Sequence, residues 1–131
     1  MRVVALDYGA ARTGVAVSDA TGTIANPLTV VDRAGSEAGL ATIGQLVADQ
    51  GAALVVVGLP VSLDGAEHGQ ARAVRSFAGR LRAVLDVPVV LYDERFTTAI
   101  AQRKGGRGEL DARAAAQILE DYLASHAPDS R

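Results

Sequence analysis

The feature that most constrains this chain is the run Ala53-Leu54-Val55-Val56-Val57, apolar at every position and closed by Gly58-Leu59-Pro60. A strand with one wet face alternates in polarity. A run without alternation is what a parallel strand covered on both faces looks like. Upstream of it, Leu40, Ile43 and Val47 recur at helical spacing between Ser36, a candidate N-cap, and Gly51, a candidate stop. Downstream, after the turn signal Asp64-Gly65, a second helical stripe runs through Val74, Phe77, Leu81 and Val84. Val87-Pro88-Val89-Val90-Leu91-Tyr92 then reads as another buried strand, ending in Asp93-Glu94-Arg95.

The front of the chain has a different grammar. Val3 to Leu6 and Val15 to Val17 are short apolar runs whose link is flanked by Gly9 and Gly14, which predicts two antiparallel strands. Leu28 to Val31, after Pro27, gives a third. Behind the last buried strand, a short helix is expected after the caps Thr97 and Thr98, then a flexible loop over Gly105-Gly106-Arg107-Gly108. A final helix is expected from about Asp111 to about Ser125. The order is a β-meander followed by βαβ crossovers, an α/β fold with one mixed sheet flanked by helices. At 131 residues the chain suits a single domain over residues 1–126, with the polar end 127–131 as a disordered tail.

Crossover topology gathers the C-terminal ends of parallel strands at one edge, where open α/β sheets bind ligands. Asp7 ends the first strand and Glu94 ends the last. Asp111 opens the final helix, on the stripe that continues through Ala115, Ile118 and Tyr122. One reading makes Asp111 a cap for its own helix. The other makes Asp7, Glu94 and Asp111 a shared set of metal ligands, since clustered carboxylates repel and a divalent cation offsets that repulsion. Oxygen donors in a chain without Cys suit Mg²⁺ or Mn²⁺. Two such ions can activate water and stabilise the leaving oxygen of a phosphodiester. A one-residue register change would exchange Glu94 for Asp93, and Asp64 is a further candidate. His68 and His126 read as solvated rather than ligating.

The formal net charge of −2 argues against a nonspecific polyanion binder, but the basic residues are unevenly spread. Arg72, Arg75, Arg80, Arg82, Arg95, Arg103, Lys104, Arg107 and Arg113 cluster in the second half, where they either form a basic surface or are solvated helix faces. In the segment Asp7-Tyr8-Gly9-Ala10-Ala11-Arg12-Thr13-Gly14, the glycines allow close backbone approach to a phosphate and Arg12 can pair with one; the alternative is an ordinary hairpin turn. The absence of Cys excludes disulfides and thiol catalysis. The apolar start is too short for a signal peptide and no run spans a bilayer, so no membrane partner is expected and the cytoplasm is the default location.

These residues resemble the YqgF (RuvX-like) family. Leu6-Asp7-Tyr8-Gly9 through Arg12-Thr13-Gly14-Val15-Ala16-Val17-Ser18-Asp19 is similar to its opening motif. Val57-Gly58-Leu59-Pro60 with Asp64-Gly65, Asp93-Glu94-Arg95-Phe96-Thr97-Thr98, and Leu110-Asp111 with Ala114-Ala115, Ile118-Leu119 and Tyr122-Leu123 resemble the later ones, in family order. The resemblance implies a ribonuclease H-like fold with a five-stranded mixed sheet. It also implies a metal-dependent nuclease that matures the 5′ end of pre-16S ribosomal RNA, with its acidic positions at Asp7, Glu94 and Asp111. Arg12, Arg95, Arg103, Lys104 and Arg107 are then the candidate nucleic-acid contacts. The loop before the last helix, about Lys104 to Glu109, is shorter than the family often carries.

Three other functions compete. A nuclease acting on four-way DNA junctions would keep the chemistry and require a homodimer for symmetric cleavage. A noncatalytic nucleic-acid-binding factor in ribosome assembly would need only the basic stretch. An actin-like ATPase shares Asp-x-Gly before a hairpin but needs two lobes, for which the chain is short.

Overall fold

The computed structural model describes residues 1–61, 65, 67–94 and 108–126, and for 108–111 the backbone alone. The elements are β1 (Arg2–Asp7), β2 (Arg12–Ser18), β3 (Ala25–Asp32), α1 (Glu37–Gln50), β4 (Ala52–Leu59), α2 (Gly69–Val84), β5 (Val89–Asp93) and α3 (Gly108–Ser125). Asp64, the expected helix after Thr97 and Thr98, the loop residues 105–107 and the tail 127–131 lie outside the described residues.

The five strands form one mixed sheet in the order β3-β2-β1-β4-β5. β2 pairs antiparallel with both β1 and β3, while β4 runs parallel to both β1 and β5. This is the α/β arrangement expected, with the run Leu54 to Val57 near its centre. Val4, Leu6, Val55 and Val57 pack on one side with Ile43 and Val47 of α1 and Val74, Phe77 and Leu81 of α2. Val3, Ala5, Ala16, Leu54 and Val56 pack on the other with Ala115, Ile118 and Leu119 of α3. Each fully buried aliphatic side chain contributes about 1.5–3 kcal/mol, so this two-sided core is the main term holding the strands in register.

α1 starts and stops as its sequence predicts. The Ser36 hydroxyl accepts from the Gly39 N–H at 3.0 Å, and Gly51 ends the helix at φ 62°, where glycine carries no steric penalty.

Four expectations change. β3 begins at Ala25, ahead of Pro27; the proline is tolerated because β3 is an edge strand and the ladder skips a residue there, Val15 facing Thr29 and Ala16 facing Pro27. Gly58 does not terminate β4 but lies inside it, paired with Tyr92. Val84, placed on the buried stripe of α2, is 55% exposed as the last residue of the helix. Gly108 is the first residue of α3 rather than part of a loop, which leaves Asp111 three residues inside the helix.

Candidate functional site

Side chains along β1 alternate between the two cores: Val4 and Leu6 toward α1 and α2, Val3 and Ala5 toward α3. Asp7 continues the second set at the end of the strand and is 4% exposed. β4 alternates in step. Leu6 pairs with Val57, so Asp7 and Gly58 follow side by side on the α3 face. Along β5, Val90 and Tyr92 pack toward α3, and Glu94, one residue past the strand, falls on the same side. The Glu94 N–H donates to the Leu59 carbonyl at 3.1 Å and extends the β4–β5 pairing.

The Glu94 side chain is fully buried. An ideal Cβ on Gly58 would lie 2.5 Å from Glu94 Oε2 and 2.7 Å from Ile118 Cδ1. The missing side chain at position 58 is therefore the space in which the carboxylate sits, with Ile118 of α3 as its wall. Glu94 is not without interactions, but its Oε2 accepts no hydrogen bond from a described residue. Asp93 pairs with Leu59, belongs to the opposite face and is exposed. Of the two neighbouring acids, Glu94 is thus the one buried on the face that carries Asp7.

Gly58 was missed as a functional position. A glycine in a strand interior is a signal of close approach by another group, and Gly-Leu-Pro read as a stop obscured it.

The turn after Asp7 is fixed from three directions. The Tyr8 ring stacks on buried Phe77 with centroids 4.3 Å apart. Gln70 Nε2, on the first turn of α2, donates to the Tyr8 carbonyl at 3.0 Å. Thr13 Oγ1 lies 3.4 Å from both the Gly9 N–H, from which it accepts, and the Gly9 carbonyl, to which it donates. A Cβ on Gly9 would fall 2.5 Å from the Arg12 carbonyl, so this tight turn requires glycine. Arg12 opens β2 opposite Asp32, exposed at the edge where β1 ends.

Asp111 shares its helical stripe with Ala115 and Ile118, both fully buried against the sheet. α3 begins at Gly108, so Asp111 is not its N-cap but lies in its first turn, where the helix dipole still favours an acid; the Asp111 side chain is outside the described residues. Arg95, Arg103, Lys104 and Arg107 are outside them too. His68 and His126 are exposed, and His126 stacks on Tyr122 at 4.1 Å.

Among the described residues no group of three or more His, Cys, Asp or Glu side chains is placed to hold a metal. Two buried carboxylates on one face, one of them seated over Gly58, nonetheless fit a hard divalent cation by the chemistry of their oxygen donors. Among the described residues no helix is long and apolar enough to cross a membrane.

Comparison with known proteins gives the same outline. Residues 1–125 match the family model described as RuvX: Holliday junction resolvase. A protein of Anaeromyxobacter dehalogenans (strain 2CP-C) is 40% identical over 137 residues, covering 98% of this chain and 100% of its own length. One of Chloroflexus aggregans (strain MD-66 / DSM 9485) is 43% identical over 131 residues, covering 92% of each. Both carry the name "Putative pre-16S rRNA nuclease". Among solved structures, T. thermophilus RuvC in complex with a Holliday junction substrate aligns over 97% of this chain and 96% of its own, with TM-score 0.62 and 19% identity. Fowlpox virus resolvase with Holliday junction DNA aligns over 97% and 99%, with TM-score 0.59 and 11% identity. These two likenesses establish the fold.

Proposed function

The chain belongs to the RuvX (YqgF) family of nucleases, and from that membership we propose that it is a metal-dependent hydrolase that cuts phosphodiester bonds in maturing the 5′ end of pre-16S ribosomal RNA. The observation that carries the proposal is the burial of Asp7 and Glu94 on one face of the sheet, at the ends of the two strands that flank β4, with Gly58 of β4 making room for the Glu94 carboxylate. The names of the full-length relatives supply the substrate.

Membership implies a superfamily that uses divalent metal ions. Asp7 and Glu94, with Asp111 from the packed stripe of α3, would hold Mg²⁺ or Mn²⁺. When bound, the ions supply Lewis-acid activation of water and charge stabilisation on the scissile phosphate. The rest is the work of the chain itself. Asp7 is held by the Tyr8–Phe77 stack and the Gln70 hydrogen bond, which fix the backbone that follows it. Glu94 is held by the Leu59 hydrogen bond and walled by Ile118, so both carboxylates are oriented before substrate arrives. Arg12 stands at the same edge and contacts a phosphate of the bound strand, together with Arg95, Arg103, Lys104 and Arg107. We place the protein in the cytoplasm, where its substrate is made.

A second reading is favoured by the description of the family model, Holliday junction resolvase. It keeps the same acids, changes the substrate to a four-way DNA junction and requires a homodimer so that two sites act symmetrically. Side-by-side assays in Mn²⁺ on a 5′-extended 16S precursor and on a mobile DNA junction separate the two. The proposal expects cleavage of the RNA by the wild type and none by a folded Asp7→Asn protein. Cleavage of the junction alone selects the second reading, and undiminished cleavage by folded Asp7→Asn defeats both.

A further inference from the structure

We propose that Arg33 is a phosphate-contacting residue of the substrate-binding surface, extending the nucleic-acid track from the acids over the β2–β3 end of the sheet. This rests on the nuclease reading above. The Arg33 N–H donates to the Ala11 carbonyl at 2.9 Å, so the ladder continues one rung beyond the Arg12–Asp32 pair. Arg33 therefore stands at the edge where β1 ends in Asp7.

Its backbone is the unusual part. At φ 44° it is the one non-glycine residue with positive φ among the described residues. An L side chain in this region carries a steric penalty that glycine avoids. The turn needs the conformation: the Arg33 carbonyl accepts from the Ser36 N–H at 3.0 Å and from the Ser36 hydroxyl at 2.7 Å, and so sets the start of α1. The turn does not need the arginine. Arg33 is exposed, and among the described residues its guanidinium makes no hydrogen bond or ion pair. The fold thus asks for a left-handed residue here and is served by glycine, while the charged side chain is left for something outside the fold. Strained positions of this kind gather at functional sites.

The placement suits a polyanion. Asp7 pairs with Gly14, and Gly14 with Val30, so Arg33 lies two strands across and three residues along from Asp7. At about 4.8 Å per strand and about 3.4 Å per residue, that is about 14 Å. A nucleic-acid strand places several phosphates within such an interval, so one strand can reach both positions. Arg12 lies between the two on β2, on the α3 face with Asp7; Arg33, one rung further, stands beside Ser36 and Gly39 at the start of α1, so a strand leaving the acids past Arg12 rounds the end of the sheet to reach it.

The test uses the full chain with a fluorescein-labelled RNA hairpin carrying a single-stranded 5′ extension. Binding is measured in Ca²⁺ across a salt series, and wild-type cleavage of the same RNA in Mn²⁺ is measured alongside. Arg33→Ala and Arg33→Gly are expected to bind roughly three- to tenfold more weakly, with the log–log salt slope reduced by about 1, whereas Arg33→Lys stays near the wild type. Arg33→Gly is also expected to melt at or above the wild-type temperature, separating lost affinity from lost stability. Unchanged affinity and slope in Arg33→Gly and Arg33→Ala would overturn the proposal. If the glycine variant melts early, the Lys–Ala comparison decides it, since both keep the same backbone demand and differ in charge. A wild type that neither binds nor cuts this RNA counts against the nuclease reading instead.

Discussion

The Glu94 carboxylate occupies the place a side chain on Gly58 would need: an ideal Cβ at position 58 would lie 2.5 Å from Glu94 Oε2. The same Cβ would press on Ile118 at 2.7 Å, so neither neighbour gives way without disturbing the packing of α3. Gly58→Ala is expected to cost about 1–3 kcal/mol by overpacking, read by thermal denaturation. Cleavage is expected to fall further than stability accounts for, about 100-fold, because a displaced carboxylate is out of position for the reaction.

Glu94→Gln preserves volume and removes charge. The folded variant is expected to lose cleavage on the order of 100-fold or more, and to lose the rise in melting temperature that Mn²⁺ gives the wild type. Asp93→Asn, altering the exposed acid on the opposite face, is expected to cleave near the wild-type rate. Comparing the two variants in one assay reads the register of the strand end directly.

Tyr8 links the core to the end of β1. Tyr8→Ala removes the stack on Phe77 and is expected to cost about 2–3 kcal/mol in denaturant unfolding, with a drop in kcat as the backbone after Asp7 loosens. Tyr8→Phe keeps the stack and is expected to restore both.

Asp121, on α3, sits far from the acids along the helix. Burial pushes its carboxyl up from the usual range; the Gln117 amide, donating at 3.2 Å, pulls it back, and Glu120 pushes it up again by charge repulsion. An acid raised on folding binds more protons in the native state than unfolded, so its contribution to stability is present in acid and lost as pH rises through the native pKa. Asp121→Asn retains a carbonyl to accept from Gln117 and is expected to raise the melting temperature at neutral pH. The difference from the wild type should close as pH falls below the unfolded carboxylate range, in a pH series of thermal melts.

Much of the fold was legible because its signals are local. The apolar run at Leu54 to Val57, the cap Ser36 and the stop Gly51 each specify their own surroundings. The site was less legible because it is made by neighbours distant in sequence. Nothing near Gly58 in the chain reveals that Glu94 leans over it, so the glycine read as a terminator. Asp93 and Glu94 could not be told apart until the alternation of Val90 and Tyr92 toward α3 placed them. The left-handed turn at Arg33 left no mark at all, since arginine is not a residue that announces positive φ.

The most direct test is anomalous diffraction from crystals of the wild-type protein equilibrated with Mn²⁺. Density is expected for manganese bound by the carboxylates of Asp7 and Glu94 on the α3 face of the sheet, and it is expected to be lost in Asp7→Asn crystals. Manganese bound elsewhere, or none beside these two carboxylates in a protein that still cuts RNA in Mn²⁺, would contradict the assignment of these acids as ligands.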